Sequence, residues 1–376
     1  MKEAILMISA SEHDADMLYV SGIFVPDPFI AIKVGNIWHG LFSPLEIDRA
    51  RKQSQLDEAH LDTPWREKAD EYGWGKGLAA AAAAFLKEQG VSEILVPGHF
   101  PLGYAEQLIS WRFKIKAAKD GLFREREIKN AAEIKHLAQA ERLTRQAMQR
   151  AELFLAECQI GSDNILLHPE VAGKVKSKHL RSVIETYLIQ HGAMPAHTIV
   201  ACGRESADPH HIGHGYLRAG QPIIIDIFPR VLATGYWGDM TRTYLKGKAP
   251  ESIKRLYNTV KEGQKIGLGM VTDGISGDAI HSAITSYFDK QGFKTGLIRG
   301  KQGGFFHGTG HGVGLEIHEA PRVSTGSDNL TTGHVITIEP GLYYPRLGGV
   351  RLEDMVVVKP DGHINLTKHP CRLEIA

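Results

Sequence analysis

Apolar positions fall into short runs that alternate with helical stripes. Ala4–Ala10 is apolar and leads straight into Glu12-His13-Asp14-Ala15-Asp16 with no small-residue cleavage site, so it predicts a core strand rather than a leader. The runs Met17–Val20 and Phe29–Ile32 precede a helical pattern over Leu78–Gln89, whose six alanines are strong helix formers stopped by Gly90. Together these features predict a small α/β unit. Composition changes near Asp120-Gly121 to Arg124-Glu125-Arg126-Glu127, and Ile134, Leu137 and Leu143 then recur at near-helical spacing within 129–155. That stripe predicts a long charged helix with one packed face, and the boundary is set between an N-terminal domain, 1–121, and a second domain, 122–376. Farther on, helices are predicted over 163–190, 250–270 and 276–291, and strands over 222–228, 240–245, 334–338 and 350–358. No tandem short-period repeat is present.

With 376 residues the chain exceeds what one core usually organises, which agrees with two domains. Its 43% hydrophobic and 23% charged residues are ordinary globular usage. A net charge of +1 excludes a nucleic-acid surface built on bulk positive charge. Cys158, Cys202 and Cys371 are far apart and form no CxxC pair, so neither a disulfide framework nor a zinc ribbon is expected, and a reducing cytoplasm is. No apolar stretch approaches the ~20 residues of a bilayer span, so no membrane partner is expected.

The informative feature is acid in expensive places. Ile223-Ile224-Ile225-Asp226 and Val335-Ile336-Thr337-Ile338-Glu339 each deliver a carboxylate from a run that should be buried. An unpaired buried carboxylate costs several kcal/mol, roughly, so each needs a cation or a proton. In Gly238-Asp239-Met240-Thr241-Arg242-Thr243, strand alternation puts Asp239 with Thr241 and Thr243, and in Val350-Arg351-Leu352-Glu353 it puts Arg351 beside Glu353. Taken alone, that last pair has a structural salt bridge as its alternative reading. The stretch from Phe306 to Glu319 adds His307, His311 and His318 among glycines that let backbone approach whatever an imidazole binds. It is not a phosphate loop, because no GxxxxGK[ST] is present. Four carboxylates and one imidazole suit manganese, cobalt, iron or zinc. One divalent ion would leave the acids at about −2, whereas two neutralise them, so a pair roughly 3.5 Å apart is expected.

These residues resemble the pita-bread metallopeptidases: methionine aminopeptidase, aminopeptidase P and prolidase, with creatinase as a non-metal relative. The likeness is strong over 120–376, where the order Asp, Asp, His, Glu, Glu is met by Asp226, Asp239 in GDMTRT, His311 in HGTGHGVGLEIHE, Glu339 in TIEPGLYY and Glu353 in VRLEDM. It implies an α+β chain with a pita-bread catalytic domain behind a smaller α/β domain. YVSGI and LEIDRARK resemble, more weakly, the N-terminal domain of the aminopeptidase P, prolidase and creatinase branch, which methionine aminopeptidases lack.

The resemblance implies hydrolysis of peptide bonds, Xaa-Pro bonds in particular, by a hydroxide bridging two divalent ions, with manganese first and cobalt, zinc or iron as alternatives. It makes Glu339 the proton shuttle, His318 the oxyanion donor, His210 (or His211) a substrate holder, His307 part of a proline-side pocket, and Arg351 a partner of Glu353 or of the substrate carboxylate. A homodimer is likewise implied. One departure is that Phe228 follows Asp226 where a small residue is usual, and Asp239 follows Asp226 by 13 positions, which predicts a longer hairpin over Pro229–Thr234. The rivals are a non-peptide C–N hydrolase of the same fold and a relative that only binds. Intact acids count against the second.

Overall fold

The computed structural model describes residues 2–119, 121–298 and 300–376, so Asp120, at the compositional change, lies outside the described residues. The chain divides into two compact units, Met1–Arg124 and Glu125–Ala376.

In the first unit, β1 (Lys2–Ser9), β2 (Phe29–Val34), β3 (Ile37–Phe42), β4 (Glu58–Leu61), β5 (Val91–Val96) and β6 (Lys114–Ala117) form one sheet in the order β4-β3-β2-β1-β5-β6. β1, β2 and β3 pair antiparallel, while β3–β4, β1–β5 and β5–β6 pair parallel. Strand alternation turns Leu6, Ile8, Ile30, Ile32 and Leu41 into one core with Phe85. The helix carrying Phe85, α1 (Leu78–Glu88), has all six alanines buried, and side chains this small let it lie close to its neighbours. Met17–Val20 sits in a short helix, Ala15–Ser21, whose N-terminus is capped by Asp14.

The second unit starts with α2 (Ala131–Glu157), opened by a reciprocal Asn130–Glu133 capping box. Its Ala140, Leu143, Ala147, Met148 and Ala151 pack in one core with Ile223, Ile225 and Ile227. Those isoleucines lie on β8 (Ile223–Ile227), paired antiparallel to β7 (Ile199–Cys202) and β9 (Met240–Lys246). Two residues per repeat turn Ile224 and Asp226 to the opposite face. A second sheet contains β10 (Gly310–Gly312), β11 (Glu319–Val323), β12 (Val335–Ile338), β15 (Asp354–Lys359) and β16 (Gly362–Asn365), in the order β11-β10-β12-β15-β16. β13 (Gly341–Tyr344) and β14 (Gly348–Arg351) form a hairpin. Helices Glu251–Met270 and Gly277–Lys290 cover the second sheet, burying Val260, Ile280 and Ile284 with Ile336, Ile338, Val356 and Val358. The fold is thus α+β, with a small α/β unit before the unit that bears the acids.

Two expected elements differ. The helix expected over 163–190 is realised only as Ser177–Gln190, because Gln159–Ile160 and Leu166–Leu167 form a short strand pair around a turn in which Asn164 has φ +60°. The strand expected over 350–358 is two strands in different sheets, separated at Leu352-Glu353. The cause is the buried guanidinium of Arg242, which donates to the Glu353 carbonyl at 2.6 Å and the Asp354 carboxylate at 2.7 Å, while the Glu353 N–H donates to the Thr241 carbonyl at 3.1 Å. Glu353 is therefore held against β9 rather than inside a continuous strand. The 229–234 segment adds a two-residue ladder of its own, Arg230–Val231 against Ala193–Met194, and Asp226 stays opposite Thr241.

Arg242→Ala is expected to cost about 3–5 kcal/mol, because it leaves the Asp354 charge buried with less compensation. Urea unfolding checks this, and a midpoint equal to wild type would remove Arg242 from the account.

Candidate metal centre

Asp226, Asp239, His311, Glu339 and Glu353 converge on one cavity of about 740 Å3. Each arrives from a different stretch of backbone: Asp226 near the end of β8, Asp239 just before β9, His311 in β10, Glu339 just after β12, and Glu353 in the break between β14 and β15. Donor atoms of Asp239, His311 and Glu353 lie within 4.8 Å of one another. The Nε2 of His311 is 3.6 Å from Asp239 Oδ2 and 3.5 Å from Glu339 Oε1.

The histidine is oriented by its other nitrogen. Nδ1 of His311 lies 3.1 Å from the Gly312 carbonyl, which can only accept, so Nδ1 carries the proton and the Nε2 lone pair faces the acids. Burial pushes His311 down to about 3, so the ring is neutral at physiological pH. Close backbone makes this possible: a Cβ on Gly310 would stand 1.9 Å from the Thr337 carbonyl oxygen.

The acids are badly placed for a chain without a cation. Burial, followed by the neighbouring carboxylates Glu353 and Asp226, holds Asp239 well above the ordinary range. Burial, then Glu339 and Asp226, does the same to Glu353 even though Glu353 accepts from the Thr241 hydroxyl at 2.8 Å. Burial raises Glu339 to about 8 against the opposing pull of Arg351. Asp226 accepts from Arg351 Nη2 at 2.7 Å, but its Oδ1 is buried with no hydrogen-bond partner. A buried carboxylate oxygen without a donor and a neutral imidazole aimed among acids fit divalent cations, which supply the missing charge and use those lone pairs.

The remaining expected site residues are spread around the same cavity. His210, His307, His318 and Arg351 all line it, as does Phe228. His318 stands edge-on to His311, ring centres 4.3 Å apart. Arg351 does not bond Glu353: it holds Asp226 and reaches Glu353 only through the Thr241 hydroxyl, 3.2 Å from its Nε. It also donates to the Tyr343 hydroxyl at 2.9 Å, and that hydroxyl is 3.0 Å from His307 Nε2. Since His307 Nδ1 faces the Gly308 carbonyl at 2.8 Å, Tyr343 donates to Nε2 and the three side chains form a directed chain. Burial lowers His307 to about 3, so its ring is neutral at physiological pH. His211 is used locally, its Nδ1 accepting from the Gly213 N–H at 3.0 Å.

Sequence reasoning missed Tyr343 and Glu141. Glu141 is fully buried and accepts from the Asp239 N–H at 3.0 Å, fixing the backbone that carries that acid. Burial lifts its carboxyl to about 7. The available signal was its place on the stripe Leu137, Glu141, Thr144, Met148, where an acid interrupts a packed helical face.

Comparison with known proteins shows the family. A putative Xaa-Pro aminopeptidase of Mycoplasma genitalium is 30% identical over 76% of this chain and 75% of its own length. An Xaa-Pro dipeptidase of Pyrococcus horikoshii is 33% identical over 74% of each. The crystal structure of the prolidase from Pyrococcus horikoshii superposes with a TM-score of 0.79 at 26% identity, covering 99% of this chain and 95% of that one. The model of metallopeptidase family M24 matches residues 135–360, a span that contains the whole site, and the chain belongs to that family.

Proposed function

We propose that this chain hydrolyses Xaa-Pro peptide bonds with two divalent ions held by Asp226, Asp239, His311, Glu339 and Glu353. The observation that carries the reading is the convergence of these five side chains, four buried and Glu339 partly so and together short of positive charge, on a cavity that also exposes His210 and His318. The relatives named as Xaa-Pro dipeptidase and Xaa-Pro aminopeptidase support the substrate class. When bound, the ions supply Lewis acidity and a water acidified towards neutrality. Manganese is the ion proposed first.

The chain's own groups do the rest. Glu339 is the proton carrier, because its carboxylate stands at the cavity wall, facing the space a substrate would enter. It delivers the proton to the leaving nitrogen. That delivery matters for proline, whose nitrogen is tertiary in the peptide and has no N–H of its own. His318 donates to the oxyanion, and His210, exposed at the cavity, holds the substrate. The Arg351–Tyr343–His307 chain fixes a rigid wall beside Phe228 and Phe306, suited to a flat apolar ring.

A cleavage panel tests the reading. Xaa-Pro dipeptides or Xaa-Pro-Yaa peptides should be cut in the presence of manganese or cobalt, Met-Ala peptides should not, and chelation should abolish the activity. Two bound ions without cleavage of any Xaa-Pro peptide would favour a hydrolase of another C–N bond. His318→Ala should lower kcat by ~10² to 10³ while metal content stays constant, the usual cost of losing one oxyanion donor. Loss of metal along with activity would move His318 into the ligand set.

The chelated protein should show an inverted pH response. Raised acids make the folded chain bind protons more tightly than the unfolded chain, so stability falls as pH rises from the ordinary carboxylate range, near 4.5, through about 8. Asp239 and Glu353 push in the same direction. Saturating metal should remove this dependence. Thermal melts at pH 7 and pH 9, above the range in which the buried neutral His307 and His311 would oppose the trend, measure it with and without manganese, and a chelated protein equally stable at both would count against the electrostatic account.

A further inference from the structure

The first unit gathers a second set of donors that shares no residue with the cavity. β3 and β4 run parallel with His39 opposite Glu58 and Leu41 opposite His60. Period-two alternation places Glu58 and His60 on one face of β4. There, His39 Nδ1 lies 3.2 Å from Glu58 Oε2 and 3.3 Å from His60 Nε2, and that Nε2 lies 3.1 Å from the same carboxylate oxygen. Three donor atoms on three side chains form a nearly equilateral triangle.

Its size fits a single ion. With bonds of about 2.0–2.1 Å, donors around one ion stand about 3.3 Å apart in a tetrahedron and about 3.0 Å apart at right angles. The three edges fall in that interval. Protons satisfy the triangle poorly. If both nitrogens carry a proton for the carboxylate, two N–H groups confront each other; if only one does, the other nitrogen turns a lone pair toward the carboxylate oxygen. A divalent ion seated just off the plane of the triangle uses all three lone pairs at once.

The surroundings hold the donors in place. His39 is buried, and both rings pack against Phe85, with centres 5.0 and 5.9 Å from it. Glu58 is half exposed, which leaves a side open for water to complete a coordination shell. Burial, then His39, lowers His60 below its ordinary value, so the ring is available as a neutral ligand near pH 7. Arg51 is a nearby cation that acts on His60 in the same direction, and its guanidinium lies 4.0 Å from Asp48.

We propose that His39, Glu58 and His60 bind one borderline divalent ion, zinc, which clips the short edge strand β4 to β3. Two nitrogens and one oxygen select a late transition ion over magnesium or calcium. An edge strand of four residues has few ladder bonds of its own, so a tie to its neighbour has an evident structural use.

The test uses the full chain. Chelator-stripped wild type, His60→Gln and Glu58→Gln are each saturated with zinc, freed of excess metal, and counted by elemental analysis. Wild type should hold one equivalent more than either variant, with the variants' peptidase activity unchanged. Cobalt should show the same difference, as visible absorption present in wild type and reduced in both variants. Circular dichroism establishes that the variants are folded, and Glu58→Gln, at a half-exposed position, retains the fold if His60→Gln does not. Equal zinc counts in wild type and a folded variant overturn the proposal. Because the readout is a difference, an error in the number of ions held by the cavity would shift every total alike and leave this result distinct.

Discussion

Several carboxylates cannot share a small buried volume as anions unless positive charge is placed among them. That constraint governs the second unit. Asp226, Asp239, Glu339 and Glu353 meet around His311 with the guanidinium of Arg351 set against them, and that guanidinium is committed to Asp226 at 2.7 Å. The chain therefore balances only part of its own charge. Desolvating an ion costs several kcal/mol even after relaxation, so the surrounding framework must hold the acids in place regardless. It does so with neutral or already paired groups: the Thr241 hydroxyl on Glu353, the Asp239 N–H on Glu141, and Arg242 locked to Asp354 behind the site.

The antiparallel registers explain how the framework succeeds. β8 and β9 place Asp226 opposite Thr241, and the hydroxyl of Thr241 connects Arg351 to Glu353. One threonine thus ties the first acid's partner to the last acid. The insertion after Phe228 does not disturb this, because its extra residues pair with Ala193–Met194 instead of shifting β9. A one-residue slip of β8 or β9 would have turned the acid that strand carries away from the cavity.

What was legible in the sequence follows from the range of the forces involved. An acid ending a run of isoleucines is anomalous within a few residues, so Asp226 and Glu339 stand out from the string alone. The packed face of the long helix was legible for the same reason. The break at Leu352-Glu353 was not, because it depends on Arg242, more than a hundred positions away, and alternation alone predicted one strand and an Arg351–Glu353 pair. The helix expected from 163 starts only at Ser177, since the preceding residues find strand partners instead. His39 was invisible as a ligand, because parallel pairing of β3 with β4 brings it to Glu58 across an intervening loop and helix.

Both donor clusters rest on one structural device, strand pairing that sets side chains from separate stretches on a common face. They differ in what they offer an ion. In the cavity, four carboxylates outnumber one imidazole, which favours oxygen-loving ions and more than one of them. At His39, Glu58 and His60, two imidazoles outnumber one carboxylate, and a single dication already exceeds the local negative charge. Nitrogen-rich and oxygen-rich sites in one chain therefore sort different metals by chemistry rather than by affinity alone. The same pairing geometry thus presents two unlike donor sets, one suited to a pair of oxygen-loving ions and the other to a single ion that accepts nitrogen.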